Sequence, residues 1–228
     1  MSVIRIAILY AHITAALGGD AVGTGLCTED TPGESGIDGY AFLQENMRVN
    51  LVMTSLPAVF NHPDGGKVRC ITALTTEKDD GTYEVTETVS YKHGESQKWQ
   101  GFGQTYRFER PESGAQYVKM NNTEMSGAPS GIYTFLYVLR DCAVVKVEGF
   151  GNRLSENQPK ETEELEQRTD TSDVNNKPHC ILWEKHATSH ATQNCCEKHF
   201  TAHCQEKYRD YEYSTLKCGN PPDEHSEL

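Results

Sequence analysis

The segment TYEVTETVSY, residues 82–91, alternates between larger, mostly apolar side chains and small or polar ones along its whole length. A strict period of two is the pattern of a β-strand that buries one face, and Thr, Val and Tyr all favour strands. One residue interrupts the apolar face, because Glu87 stands between Val85 and Val89. The segment therefore predicts a half-buried strand that carries one carboxyl group on its otherwise apolar face.

Segments of similar composition recur on both sides of this one, bounded by turn residues. Strands at such short intervals predict an all-β domain. A short helix capped by Asp38 precedes them, and a last helix begins near Asn194, where Cys196, Phe200 and Cys204 share one face. The pattern fits an up-and-down barrel with a central cavity and also a β-sandwich. The eight predicted strands cover residues 47–56, 67–76, 82–91, 98–109, 116–120, 132–139, 142–148 and 179–184.

The first 18 residues have the organisation of a secretory signal peptide. Arg5 supplies the positive charge, residues 6–17 an apolar stretch, and Ala16-Leu17-Gly18 the small residues of a cleavage site. The alternative is a buried N-terminal strand, and the stretch is too short to span a membrane. Cleavage leaves residues 19–228 as one secreted, extracellular domain. Its eight cysteines then predict a disulfide framework.

The charge pattern and the absence of known motifs narrow the function. The net charge is −12 and no Lys/Arg cluster interrupts it, which argues against a nucleic-acid partner. No catalytic constellation, phosphate-binding loop or cofactor motif is visible, so we expect neither an enzyme nor a cofactor. Cys195-Cys196 with His199 and His203 is conceivable as a metal site, but disulfides account for the cysteines and we expect no metal. Residues 149–178 are polar and acidic, and predict a long surface loop.

Several landmarks resemble the tick salivary lipocalins of the histamine-binding-protein family. They are the opening Ile37-Asp38-Gly39-Tyr40-Ala41-Phe42, then Arg69-Cys70, Asp141-Cys142 with the following Ala143-Val144-Val145, Leu182-Trp183 and the Cys195-Cys196 doublet. The doublet is similar to the branch that includes leukotriene and complement binders. The resemblance favours the barrel over the sandwich. It implies an eight-stranded antiparallel up-and-down lipocalin barrel with a short N-terminal helix and a C-terminal helix.

The resemblance also implies a disulfide pairing and a ligand site in the barrel. The implied pairs are Cys70–Cys218, Cys142–Cys196, Cys27–Cys195 and Cys180–Cys204. In the site, Arg69 would pair with a ligand carboxylate, whereas Glu87 would need a cation or a ligand amine unless the faces are reversed or it lies at a wet barrel mouth. The predicted lining is Leu43, Arg69, Val85, Glu87, Val89, Phe102, Gln104, Tyr106, Asp141 and Trp183.

The function implied by the resemblance is sequestration of a small host mediator, which would suppress inflammation or haemostasis. Amine binders of the family carry an acid after the seventh-strand cysteine and another before Leu-Trp; here these positions are Ala143 and Ile181. An eicosanoid or fatty acid is therefore predicted over histamine or serotonin. The alternatives are inhibition of a host plasma protein, such as a complement component, through the outer loops, and a storage role. Asn121-Asn122-Thr123 is a glycosylation sequon in a predicted turn, or simply a hydrophilic turn.

Overall fold

The structure, a computed structural model, describes residues 38–56, 67–110, 116–123, 131–149, 177–185, 190–208, 211 and 213–222. The predicted signal peptide, Cys27 and most of the predicted loop 149–178 lie outside these residues. No helix in the described ranges is long and apolar enough to cross a membrane. The elements in chain order are α1 (Gly39–Phe42), β1 (Arg48–Thr54), β2 (Val68–Asp79), β3 (Glu84–His93), β4 (Trp99–Phe108), β5 (Lys119–Asn122), β6 (Ile132–Val138), β7 (Cys142–Glu148), β8 (Cys180–Lys185), α2 (His190–His203) and α3 (Thr215–Cys218).

The eight strands of the described ranges form a closed antiparallel barrel in which each strand pairs with its neighbours in sequence. Closure is completed by β1 and β8, whose register places Leu51 opposite Trp183. Closing the sheet removes the unpaired edges that an open sheet would expose. The predicted fold class, an eight-stranded up-and-down barrel with a short N-terminal and a C-terminal helix, is confirmed.

One end of the barrel is plugged by α1. The Asp38 side chain caps the helix by accepting a hydrogen bond from the Ala41 N–H, as the sequence predicts. The Tyr40 ring packs edge-on against Tyr83 and Phe108, and the Tyr40 hydroxyl donates to Asp80. The plug therefore holds the ends of several strands together.

Lys78 and Gly39 fix the plug further. The Lys78 ammonium donates to the Tyr40 carbonyl at 2.7 Å and lies 3.9 Å from the centre of the Tyr40 ring. Gly39 lies so close to the Phe135 ring that a Cβ atom would overlap it. A glycine is needed here because the helix approaches the barrel wall closely, not because of its backbone angles.

The helix α2 lies on the outside of the barrel and begins at His190, four residues before the predicted start. Its buried face packs on β7 and β8 in a second apolar cluster, separate from the barrel interior. The members of this cluster are Cys142, Val144, Cys180, Leu182, Cys196, Phe200 and Cys204. Two disulfides within it, Cys142–Cys196 and Cys180–Cys204, hold α2 against both strands.

Three of the four predicted disulfides are confirmed: the two that attach α2, Cys142–Cys196 and Cys180–Cys204, and a third, Cys70–Cys218. No cysteine of the described ranges is free. Cys195 is disulfide-bonded, but its predicted pairing with Cys27 lies outside the described residues. Cys70–Cys218 spans 148 residues and attaches the C-terminal segment, with the short helix α3, to β2.

A β-bulge interrupts β2 beside this disulfide. The register of β2 on β3 shifts by one residue between Arg69 and Thr72, and Cys70 has a φ of 58°. The Tyr211 hydroxyl bridges the gap: it accepts from the Ile71 N–H at 3.3 Å and donates to the Leu51 carbonyl at 2.7 Å. Two backbone groups near the bulge are thereby satisfied without a strand partner.

Candidate ligand-binding site

The interior of the barrel is lined mainly by aliphatic and aromatic side chains. They come from the inward positions of all eight strands, as the period of two requires. They form one continuous cluster with the plug helix. The buried strand residues of this cluster are Val49, Leu51, Ile71, Ala73, Val85, Tyr106, Phe108, Met120, Tyr133, Phe135, Ala143, Val145, Val147 and Ile181.

A polar row crosses this apolar lining on three adjacent strands. Thr75 on β2 lies directly opposite Glu87 on β3, and Glu87 lies directly opposite Gln104 on β4. Directly opposed residues of an antiparallel pair point to the same face. All three are buried, with exposed fractions of 1%, 5% and 1%. The row therefore places a carboxyl group inside the barrel wall, as residues 82–91 predict.

The Glu87 carboxyl group lies in an environment that disfavours its charge. Burial raises its pKa from 4.5 to about 7 because an ionised carboxylate loses its hydration there. Within the described ranges it has no hydrogen bond and no ion pair, and Gln104 uses its amide to donate to the Thr105 carbonyl at 2.7 Å. Glu87 is thus protonated or ionised with nearly equal ease at neutral pH, and it retains its full hydrogen-bonding capacity.

A pair of tyrosines stands near Glu87. The rings of Tyr106 and Tyr133 meet edge to face with centroids 5.5 Å apart, and their hydroxyl groups are hydrogen-bonded to each other. Burial raises the pKa of both hydroxyls, and the nearby negative charge of Glu87 raises them further. A hydrogen bond between two hydroxyls uses only one of their two hydrogens, so the pair keeps one O–H donor, with no further acceptor among the described residues.

Sequence reasoning missed Tyr133 and Thr75. The signal for Tyr133 is the alternation in residues 132–138, IYTFLYV, where Tyr133 and Phe135 share the inward face. Tyr133 also depends on Gly131, since a Cβ atom there would approach the Tyr133 ring and hydroxyl at 3.2–3.3 Å. No local pattern, however, indicates that Tyr133 meets Tyr106 from β4.

Eight of the ten predicted lining residues share the interior side of the wall. The buried cluster of the interior includes Leu43, Val85 and Tyr106. Two partly exposed side chains, Val89 and Trp183, pack against this cluster. Phe102 lies opposite Val89 and therefore on the same face. Glu87 and Gln104 complete the set. Their role in binding a ligand stays a prediction.

Arg69 lies on the outer face, contrary to the expectation from the sequence. Arg69 lies opposite Lys92 on β3. Lys92 is five residues from the inward Glu87, so its side chain, and that of Arg69 opposite it, point to the outer face. Its guanidinium donates from Nε to the Gly94 carbonyl and from a terminal nitrogen to the Ser96 carbonyl, both at 3.0 Å. Without the extra residue of the bulge, Arg69 would share the inward face of Ala73, since a one-residue shift reverses every side chain. Arg69 therefore secures the β3–β4 turn.

Asp141 is also outside the interior. It lies in the tight turn between β6 and β7, where its carbonyl accepts from the Lys185 N–H at 2.8 Å. The Lys185 side chain extends over the Phe42 ring at the plugged end. Burial lowers the pKa of Lys185 and the Asp141 carboxylate partly offsets this. Asp141 thus supports the plugged end of the barrel.

The sequon occupies a strand rather than a turn. Asn121 lies within β5, opposite Arg107 and Ile132, and its Nδ2 donates to Glu109 at 2.8 Å. The Thr123 hydroxyl donates to the Thr105 carbonyl at 3.2 Å. In the folded chain the Asn121 side-chain nitrogen, to which a glycan would be attached, therefore already donates a hydrogen bond. Glycosylation of Asn121 stays a prediction.

Comparison with known proteins gives a distant likeness in structure alone. No protein-family model matches the chain, and no curated protein matches it. Among solved structures, Japanin from Rhipicephalus appendiculatus, described as bound to cholesterol, is similar with a TM-score of 0.44 and 12% sequence identity. The likeness covers 73% of this chain and 92% of Japanin. At this distance it assigns neither a family nor a ligand, and the barrel architecture rests on the strand pairing itself.

Proposed function

We propose that the chain is a secreted lipocalin-type carrier that encloses a small, mainly apolar molecule and anchors its polar end at Glu87. The supporting observation is the buried Glu87 carboxyl group, which has no protein partner in the described ranges. A buried polar group without a partner is costly, so a folded protein retains one where a ligand or water supplies it. Three disulfides fit an extracellular protein.

The hydrogen-bonding groups favour a ligand whose polar end accepts hydrogen bonds. Protonated Glu87 donates one hydrogen bond, and the remaining O–H of the Tyr106–Tyr133 pair supplies a second donor near it. A ligand carboxylate can accept from both. The aliphatic and aromatic lining then buries the tail, which supplies most of the affinity of a small-molecule site. We therefore retain a fatty acid or eicosanoid as the ligand, with Glu87 and the Tyr106–Tyr133 pair in place of Arg69 at its polar end.

A biogenic amine is the competing ligand, and pH separates the two. An acid that needs protonated Glu87 loses affinity as pH rises through about 7. The protonated fraction falls about tenfold between pH 6 and pH 8, so the affinity falls by about the same factor. An ammonium that needs ionised Glu87 gains affinity over that range instead.

Titration calorimetry with arachidonic acid and with histamine at pH 6 and pH 8 tests the proposal. We expect micromolar or tighter binding of the fatty acid, tighter at pH 6, and histamine at least tenfold weaker. In Glu87→Gln the fatty acid should bind without this pH dependence. Submicromolar histamine affinity with no fatty-acid binding would contradict the choice of ligand. Binding of neither, with no ligand recovered from purified protein, would contradict the carrier function.

Inhibition of a plasma protein through the outer loops stays a second prediction. Most of the one loop predicted by residue number, 149–178, lies outside the described residues. The protein used for calorimetry can be incubated with serum and then analysed for a stable stoichiometric complex. Such a complex would distinguish this function from that of a carrier.

A further inference from the structure

Two histidines stand together on the outer surface of α2, on the far side of the barrel wall from the ligand site. His199 and His203 are four residues apart, and their ring centroids are 4.3 Å apart. On a helix, side chains at this spacing lie one above the other on the same face. His203 is exposed and His199 half-buried, so an ion can approach the pair from water.

The first histidine is held in place by its neighbour on the barrel. The His199 ring stacks on the Tyr137 ring at 4.4 Å with only 9° between their planes. Tyr137 belongs to β6, so the barrel wall fixes the plane of the first imidazole. A side chain that is already ordered loses less rotamer entropy when it binds an ion.

The helix segment between the histidines is also fixed. Cys196 precedes His199 by one turn and is bonded to Cys142 on β7, and Cys204 follows His203 and is bonded to Cys180 on β8. Phe200, between the two histidines, is 1% exposed. The helix segment that carries both imidazoles is thus held to the barrel by a disulfide at each end and by the buried Phe200 ring between them.

The electrostatic position suits a cation. His203 is the last residue of α2, where the unpaired carbonyl groups give the helix end a partial negative charge. One of these carbonyls, that of Thr201, already accepts from the Lys177 ammonium at 3.2 Å. The Lys177 ammonium therefore offsets part of this negative charge, so the helix end adds only a small attraction to that of the imidazoles.

Contrary to the expectation from the sequence, we propose that His199 and His203, without the disulfide-bonded cysteines, form a surface site for a late first-row transition-metal ion, of which Cu²⁺ binds tightest. Neutral imidazoles suit Cu²⁺, Zn²⁺ and Ni²⁺, and the affinity of a given site peaks at Cu²⁺ along this series. No third His, Cys, Asp or Glu side chain of the described ranges groups with them to hold a metal ion. The pair supplies two adjacent ligands, and water or a ligand from another molecule fills the remaining positions.

The spacing of the histidines, rather than their number, is the decisive variable. Thr201 is exposed and two residues from each histidine, so a histidine there points away from His199. The double variant Thr201→His/His203→Ala keeps two histidines on this part of the helix but places them on different faces. His179, whose ring nitrogen contacts the Ser55 carbonyl at 3.0 Å, provides a matched single-histidine control.

Calorimetric titration of the folded, disulfide-intact protein with Cu²⁺, Zn²⁺ and Ca²⁺ tests the site. We expect Cu²⁺ to bind more tightly than Zn²⁺, and Ca²⁺ not to bind at the pair. His203→Ala and the double variant should each weaken Cu²⁺ binding at least tenfold, and His179→Ala should leave it unchanged. Equal Cu²⁺ affinity in the double variant and the unmodified chain would overturn the proposal.

Chemical protection gives a second, site-specific readout. Diethyl pyrocarbonate modifies accessible imidazole nitrogens, and peptide mass spectrometry locates the modified residues. Zn²⁺ should protect His199 and His203 together while leaving the modification of His179 unchanged. Modification of both histidines at the same rate with and without Zn²⁺ would overturn the proposal, whichever ligand occupies the barrel.

Discussion

Replacing Glu87 with Gln should change how the stability of the protein depends on pH. Glutamine has nearly the same shape but no ionisable group, so it removes only the cost of a buried charge. Burial raises the pKa of Glu87 from 4.5 to about 7. The difference, at roughly 1.4 kcal/mol for each pH unit, corresponds to about 3 kcal/mol.

The sign follows from proton binding. Between pH 4.5 and 7 the folded protein binds more protons at this position than the unfolded chain does, so the free energy of unfolding decreases as pH rises. The favourable contribution of protonated Glu87 is complete below about pH 4.5 and is lost as pH rises through about 7. Glu87→Gln should therefore gain up to about 3 kcal/mol relative to the unmodified protein between pH 4.5 and pH 8.

Urea unfolding of both proteins at several pH values, with the disulfides intact and no ligand present, measures this difference. Glu84→Gln is the matched control, because Glu84 is on the outer face of the same strand and pairs with Arg107 at 2.8 Å in partial contact with water. It should show little change in its stability difference over the same range. A stability difference for Glu87→Gln that does not vary with pH would refute the burial of the Glu87 carboxyl group in the barrel interior.

Two further predictions concern the plug and the bulge. Gly39→Ala places a methyl group against the Phe135 ring and should lower the free energy of unfolding by about 1–3 kcal/mol. Gly103→Ala is the control and should not lower it, since nothing lies within 4 Å of the new Cβ atom. Equal effects of the two substitutions would contradict the close contact between the plug and Phe135. Tyr211→Phe leaves two buried backbone groups without their partner and should cost about 2 kcal/mol or more. Tyr213→Phe is its control in urea unfolding, since the buried Tyr213 hydroxyl has no hydrogen-bond partner in the described ranges; a larger loss for Tyr213→Phe than for Tyr211→Phe would refute the bridging role.

Short-range patterns in the sequence are sufficient for much of the fold and part of the site. The alternation in residues 82–91 places Glu87 on the inward face, because the side-chain period of a strand is a property of the backbone alone. Asp38 likewise predicts the start of α1 from local sequence, because a helix cap involves only neighbouring residues. The disulfide pairs, in contrast, followed from a family resemblance, as spacing among eight cysteines leaves many pairings open.

The position of Arg69 and the meeting of Tyr106 with Tyr133 were decided only in the folded chain. Arg69 reverses its face because β2 contains one extra residue at Cys70, in a region where a disulfide to Cys218 and the Tyr211 hydroxyl attach the C-terminal segment. These partners are about 140 residues away in sequence, so no local pattern could reveal the bulge. The sequence thus determined which strands form and where the inner carboxyl group lies, whereas long-range packing determined that Arg69 does not accompany it.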